Sequence, residues 1–308
     1  MKTRLVFAIL LSLLVGCKDP NPNIGRETDA PKRQSLKAHK DWAVRCAEWD
    51  DWDKIGPPFK IHSNSYYVGT CGISAILITG AKGHILIDGG TEKGAEIILD
   101  NIASLGFQVS DINILLYSHE HFDHVGGLAK IQRQSGAELY ASPAAKPVLV
   151  TGLSAASDPQ YGMHAPFPAA KVSKTINHGE TVSLGDLSLR AISTPGHTEG
   201  ALSWQWESCE TSGCEIIVYA DSLSPISRDG YNFADHLDYL TKYRAGLADL
   251  ENIDCTLILT PHPSASQMRK RILAGELSNE TGCVDYAIGI KRRLENRLAK
   301  EDSEKDQP

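Results

Sequence analysis

The 308 residues are 42% hydrophobic and 22% charged, a composition that excludes a disordered chain and can bury the core of one large domain or two ordinary ones. Against 38 Asp and Glu stand 31 Lys and Arg, a formal charge of -7 with no long basic run. Nucleic-acid binding therefore lacks electrostatic support, and a small-molecule substrate is the default.

The chain opens with Lys2 and Arg4, followed by an apolar run over residues 5–15 that ends in Gly16-Cys17. That run is far shorter than the about 20 residues of a membrane-spanning helix, and its basic, apolar and small-residue regions come in export order. Residues 1–16 read as a secretory signal. Leu14-Val15-Gly16-Cys17 is similar to the bacterial lipoprotein cleavage box, which would make Cys17 an acylated first residue and hold the protein in the periplasm on a lipid anchor. An ordinary signal peptide cut nearby would leave Cys17 incidental. Residues 17–40, rich in Pro, Asn, Asp and Lys and poor in large apolar side chains, predict a flexible tether. The folded domain is expected over 41–300, with 301–308 as a disordered tail.

Seven cysteines are odd for an exported protein, but setting Cys17 aside leaves 7 - 1 = 6, at 46, 71, 209, 214, 255 and 283. Cys209 and Cys214 flank a short turn between two strand-like runs, so pairing across that hairpin costs least. Cys46 with Cys71 and Cys255 with Cys283 then form the next most local solution. No close Cys-x-x-Cys spacing suggests a structural zinc site.

From Tyr66 onward short β-type runs alternate with turns and amphipathic stretches. Residues 73–79 and 84–87 predict a hairpin, followed by the turn Asp88-Gly89-Gly90. Thr91 predicts the cap of a helix with Ile97, Ile98, Ile102 and Leu105 on one face, stopped by Gly106. Residues 112–117 form a nearly all-apolar run suited to a strand buried on both faces. Further strands are expected at 138–141, 187–192, 202–206, 216–220 and 256–259, and helices at 144–150, 233–247 and 284–298. Strands interspersed with helices make this an α/β domain of layered type.

Directly after the buried run comes Ser118-His119-Glu120-His121-Phe122-Asp123-His124. Three imidazoles and a carboxylate fall within six residues just past a strand end, and these are ligands that zinc prefers. In an extended segment His119 and His121 point the same way, while Asp123 and His124 face a second position after the turn. Four such residues do not all fit one catalytic ion that keeps an open site, so two metals are expected. His197 in Thr194-Pro195-Gly196-His197 and His262 in Thr260-Pro261-His262-Pro263 lie just past two other strands, beside prolines that stiffen the backbone. A loop over 153–168, carrying Gln160, Tyr161, His164 and Phe167, is expected to border the groove, with Gln160 at the substrate and His164 on the rim.

The His-x-His-x-Asp-His run, the Asp88-Gly89-Gly90 turn and the later single histidines resemble the metallo-β-lactamase superfamily over about residues 66–298. Tyr219-Ala220-Asp221-Ser222-Leu223-Ser224, Pro195-Gly196-His197-Thr198 and Thr260-Pro261-His262-Pro263 look like its subclass B3, particularly members with extra disulfides. The resemblance implies a four-layer αββα sandwich with two Zn2+ ions in a groove at one edge. It puts His119, His121 and His197 on the first ion and Asp123, His124 and His262 on the second. Ser222 stands where other subclasses place a cysteine ligand. The implied activity is hydrolysis of the β-lactam amide of penicillins, cephalosporins and carbapenems, giving antibiotic resistance, by water that the two ions activate and Asp123 holds in line. Ser222 and Ser224 would then lie near the substrate carboxylate.

Lactone and thioester hydrolases of the superfamily use an aspartate to bridge both metals. Asp221 could take that role here, or make a structural hydrogen bond at the strand end. A non-catalytic binding lipoprotein has no need for six ligands around open coordination positions. A monomer is the default, touching a membrane only through its anchor.

Overall fold

The computed structural model describes residues 24–211 and 213–305, so the expected signal segment and Cys17 lie outside the described residues. The chain divides into two units, residues 1–34 and 35–308. The expected tether does not extend to residue 40, because helix α1 spans Ile24–Arg45 and its part from Ser35 onward belongs to the larger unit. There Trp42 is buried, packing edge-on against Phe59 and Tyr67, and His39 Nε2 donates to the Lys60 carbonyl at 2.7 Å. Ala38 and Trp42, four apart on one helical face, anchor a segment whose other faces are polar enough to look like linker.

The first sheet contains seven strands in chain order: β1 (Phe59–His62), β2 (Ser65–Tyr67), β3 (Ile76–Gly80), β4 (Gly83–Ile87), β5 (Ile112–Leu116), β6 (Glu138–Ala141) and β7 (Val172–Thr175). It is antiparallel up to β4 and parallel from β4 to β7. Between β4 and β5 runs α2 (Gly94–Ser104), where Thr91 Oγ1 accepts the Gly94 N–H at 2.8 Å and Gly106, at φ 88°, ends the run. After β5 come one helical turn, α3 (Phe122–Val125), and α4 (Leu128–Ser135). A short α5 (Ala145–Thr151) precedes β7.

The second sheet is built from β8 (Thr181–Leu184), β9 (Leu187–Ser193), β10 (Leu202–Glu210), β11 (Gly213–Tyr219) and β12 (Leu257–Leu259), in the order β12-β11-β10-β9-β8. Helix α6 (Leu237–Glu251) precedes β12, and α7 (Met268–Ala274) and α8 (Gly282–Lys305) follow it.

Period-two alternation sorts the layers. Ile217, Tyr219, Leu257 and Leu259 join one cluster with the first sheet, α2 and α4, whereas Val218 and Ile258 join another with Tyr243 and Leu247 of α6 and Ile290 and Leu294 of α8. Two sheets lie between helical layers, the αββα sandwich. The four strands β1, β2, β7 and β8, of three or four residues each, have no counterpart in the sequence reading; β7 is Val-Ser-Lys-Thr with three exposed residues, which leaves no apolar alternation to read.

The expected tail is also partly structured. α8 runs to Lys305, and the buried Glu301 carboxylate accepts the N–H groups of Phe233 and Ala234 at 3.1 and 3.0 Å while pairing with Arg297 at 2.7 Å. Those contacts satisfy the free N–H groups of a 3-10 turn at Phe233–Asp235, and α6 accordingly starts at Leu237 rather than at residue 233. All three expected disulfides are present, Cys46–Cys71, Cys209–Cys214 and Cys255–Cys283, the second joining directly opposed residues of β10 and β11. Among the described residues, no helix is long and apolar enough to cross a membrane.

Candidate metal centre

β4 and β5 are parallel, as are β11 and β12, so Asp88, the Ser118–His124 run, Asp221 and His262 all leave their sheets past the C-terminal ends of strands. His197 follows β9 in the same way. The convergence brings His119, His121 and His197 together with ring centroids 5.0, 4.7 and 4.8 Å apart, and one nitrogen of each lies within 4.8 Å of the others. A second group adjoins it. His124 Nε2 lies 3.0 Å and His262 Nε2 3.5 Å from Asp123 Oδ2, and the His119 and His124 rings are 4.2 Å apart.

Four of the five imidazoles have one nitrogen hydrogen-bonded from outside. Asp221 Oδ1 lies 2.8 Å from His119 Nδ1, Asp158 Oδ2 3.0 Å from His121 Nε2, the Ser224 carbonyl 3.0 Å from His197 Nδ1 and the Gly72 carbonyl 3.3 Å from His262 Nδ1. Asp88 Oδ2 stands 3.3 Å from His124 Nδ1, close but short of hydrogen-bond geometry. The second nitrogens are left for the interior, and His119 Nε2 and both ring nitrogens of His124 are buried with no hydrogen-bond partner among the described residues. An orphaned buried nitrogen such as His119 Nε2, its opposite ring atom held by the Asp221 carboxylate, suits metal ligation. The residues present therefore fit metal ions.

The electrostatics agree. Burial pushes His119 and His197 well below the ordinary imidazole range and His262 down to about 4, keeping them neutral as ligands must be. Burial also works against the charged forms of Asp123 and His124, but their mutual attraction wins: the carboxyl is held well below its usual range and the imidazole is raised to about 10. Metal entry at His124 thus competes with a proton.

Four positioning residues escaped the sequence reading in this role. Asp88 carried a signal, its Asp-Gly-Gly turn: at φ 66° its carboxylate accepts the Ser118 N–H at 2.6 Å, the Ser118 hydroxyl at 2.8 Å and the Tyr219 hydroxyl at 2.7 Å. Glu120, the buried residue between the first two histidines, accepts from Thr198 Oγ1 at 2.6 Å and the Gly200 N–H at 2.8 Å, tying that run to the His197 turn. Asp158 and Gly72 had no local signal. Asp158→Ala is expected to weaken metal binding by about 10- to 100-fold, since His121 loses the group that sets its orientation; metal titration of the apoprotein checks this, and unchanged affinity would dismiss the role.

Gln160 is buried, its side-chain amide 3.3 Å from His197 Nε2 and its Oε1 3.4 Å from His164 Nε2. Phe167 packs on the hydrophobic core instead of bordering the groove, and its N–H donates to the Gly152 carbonyl at 3.1 Å. Trp49 and Trp52, not anticipated, lie 6.2 and 6.0 Å from the His262 ring. Asp221 is fully buried behind His119, with Oδ2 accepting the Leu223 N–H at 3.1 Å. Both its oxygens are thus engaged, an arrangement that matches a structural carboxylate. Leu223 itself is buried at φ 48°, and this conformation is held by contacts on both sides, including the Tyr243 hydroxyl on its carbonyl. The turn presents Ser222, whose buried Oγ has no partner, and Ser224.

Residues 68–210 match the family model of the metallo-beta-lactamase superfamily. Among solved structures, the MIM-2 metallo-beta-lactamase is 56% identical over 86% of this chain and 98% of that one, with a TM-score of 0.83. BJP-1, a subclass B3 metallo-beta-lactamase of Bradyrhizobium japonicum, is 29% identical over 84% of this chain and 100% of that one, with a TM-score of 0.73. A curated relative, the hydroxyacylglutathione hydrolase of Maricaulis maris, is 31% identical over 106 residues, 34% of this chain and 32% of that protein. The chain thus spans about a third of that relative's length.

Proposed function

The chain belongs to the metallo-β-lactamase superfamily and is a B3-like hydrolase, and from that premise we propose that it opens the amide of penicillins, cephalosporins and carbapenems with two zinc ions, conferring resistance to them. The observation that carries the reading is the pair of adjoining groups, His119/His121/His197 and Asp123/His124/His262, with four of the five imidazoles hydrogen-bonded from outside. Zinc held there would supply Lewis acidity, acidifying water and polarising the lactam carbonyl.

The protein's own groups do the rest. Asp123 Oδ2 faces His124 and His262, leaving Oδ1 to accept a hydrogen bond from the attacking water and hold it in line. Ser222 Oγ, buried and without a hydrogen-bond partner among the described residues, and Ser224 Oγ, which would turn from the Ser222 carbonyl 3.4 Å away, are donors for the substrate carboxylate. Gln160, against His197, borders the bound substrate.

The likeness to a hydroxyacylglutathione hydrolase favours a second reading, a lactone or thioester hydrolase with Asp221 bridging the metals. That role would require Asp221 to give up His119 Nδ1. Hydrolysis of benzylpenicillin, a cephalosporin and a carbapenem should appear with purified protein, vanish on chelation and return with zinc. Turnover of a thioester or lactone with none of a β-lactam would replace the proposal by the second reading.

A further inference from the structure

A protein with a formal charge of -7 repels an anionic substrate unless a local cation offsets it. Around the serine turn the cations are unequal. Arg297 is paired with Glu301 at 2.7 Å, and Arg228 lies over the Tyr231 ring. Arg293 forms no ion pair among the described residues, is exposed, and donates from Nη2 to Ser224 Oγ at 3.3 Å. With Arg292 it lines a recess of about 330 Å³ between α8 and the residues just after His262, Ala265 and Ser266. The acid in that recess, Asp285, accepts the Thr281 hydroxyl at 2.7 Å.

The helix that carries Arg293 also fixes the turn. Tyr286, two helical turns earlier on the same face, donates to the carbonyls of Asp221 and Ser222 at 2.9 and 2.6 Å, and the buried Ala287, Ile290 and Leu294 anchor α8. The Ser224 carbonyl in turn accepts from His197 Nδ1, so Arg293, Ser224 and one histidine of the ligand group form a single hydrogen-bonded chain. A β-lactam carries its carboxylate on the atom beside the lactam nitrogen, so the group that receives it must be tied closely to the ligand group.

We infer that Arg293 is the cation that receives the substrate carboxylate, drawing it to Ser224 and setting the position of the lactam ring. The inference rests on the β-lactam reading. A guanidinium already hydrogen-bonded to the serine hydroxyl leaves other N–H groups for a carboxylate oxygen, giving a charge-assisted contact that hydroxyls alone lack.

The test compares benzylpenicillin with its methyl ester, which lacks the charge, on the zinc-loaded wild type and on Arg293→Ala, Arg293→Glu and Arg293→Lys. For the acid, Arg293→Ala should raise KM about fivefold with little change in kcat, Arg293→Glu more, and Arg293→Lys should recover most of the loss. Added salt should raise KM for the acid in the wild type and far less in Arg293→Ala. KM for the ester should not respond. Equal losses on acid and ester, or an unchanged KM for the acid, would overturn the role of Arg293 alone. A wild type inert towards both compounds would overturn the β-lactam reading and this inference with it.

Discussion

Replacing His121 by alanine is expected to remove one metal ion and lower kcat/KM by about a thousandfold or more, because Lewis-acid stabilisation contributes several kcal/mol and each 1.36 kcal/mol is a factor of ten. His121 belongs to the group with His119 and His197, and Asp158 holds its outer nitrogen. Its removal leaves that group with two imidazoles and takes from Asp158 Oδ2 its imidazole, while Oδ1 keeps the Gln160 N–H. The fold should survive, since His121 sits at the strand end and not in the apolar clusters. Metal content by mass spectrometry, circular dichroism and turnover check this together. A variant with native fold and full activity would show that the metal centre lies elsewhere.

Asp88→Ala is expected to cost about 3 to 5 kcal/mol of stability, since it strands buried donors and forces alanine into a left-handed conformation. Asp88 is fully buried, and the three hydrogen bonds it accepts come from Ser118, after β5 of the first sheet, and from Tyr219, in β11 of the second. One carboxylate thus joins both sheets immediately behind the ligand run. Its second oxygen also faces His124 Nδ1, so metal affinity should fall by about tenfold or more in any variant that folds. Asp88→Asn tolerates φ 66° but loses the charge, and should fall between the two. Thermal unfolding of the three proteins, with metal titration of each, separates the contributions. An alanine variant with the wild-type melting temperature would refute the account.

The candidate ligands are legible along the chain. His119, His121, Asp123 and His124 are adjacent along the chain, so their spacing past a buried strand already restricts where they can point. His197 and His262 were legible because each follows a strand beside proline. The disulfides were legible for a related reason: pairing within 5, 25 or 28 residues closes the shortest loops available.

What orients those side chains emerges only from the packed fold. Asp158 meets His121 across 37 residues, Asp221 meets His119 across 102 and Gly72 meets His262 across 190. No local pattern encodes such pairs, because they exist only once strand ends from two sheets converge and water is excluded between them. The ends of the domain were misread for the same reason. His39 and Glu301 sit in polar stretches that propensity assigns to linker and tail, yet each is held by partners distant in sequence, the Lys60 carbonyl and the Phe59 ring for one and the Phe233 turn for the other. Ligand identity is a property of neighbouring residues, whereas ligand orientation and burial are properties of the packed whole.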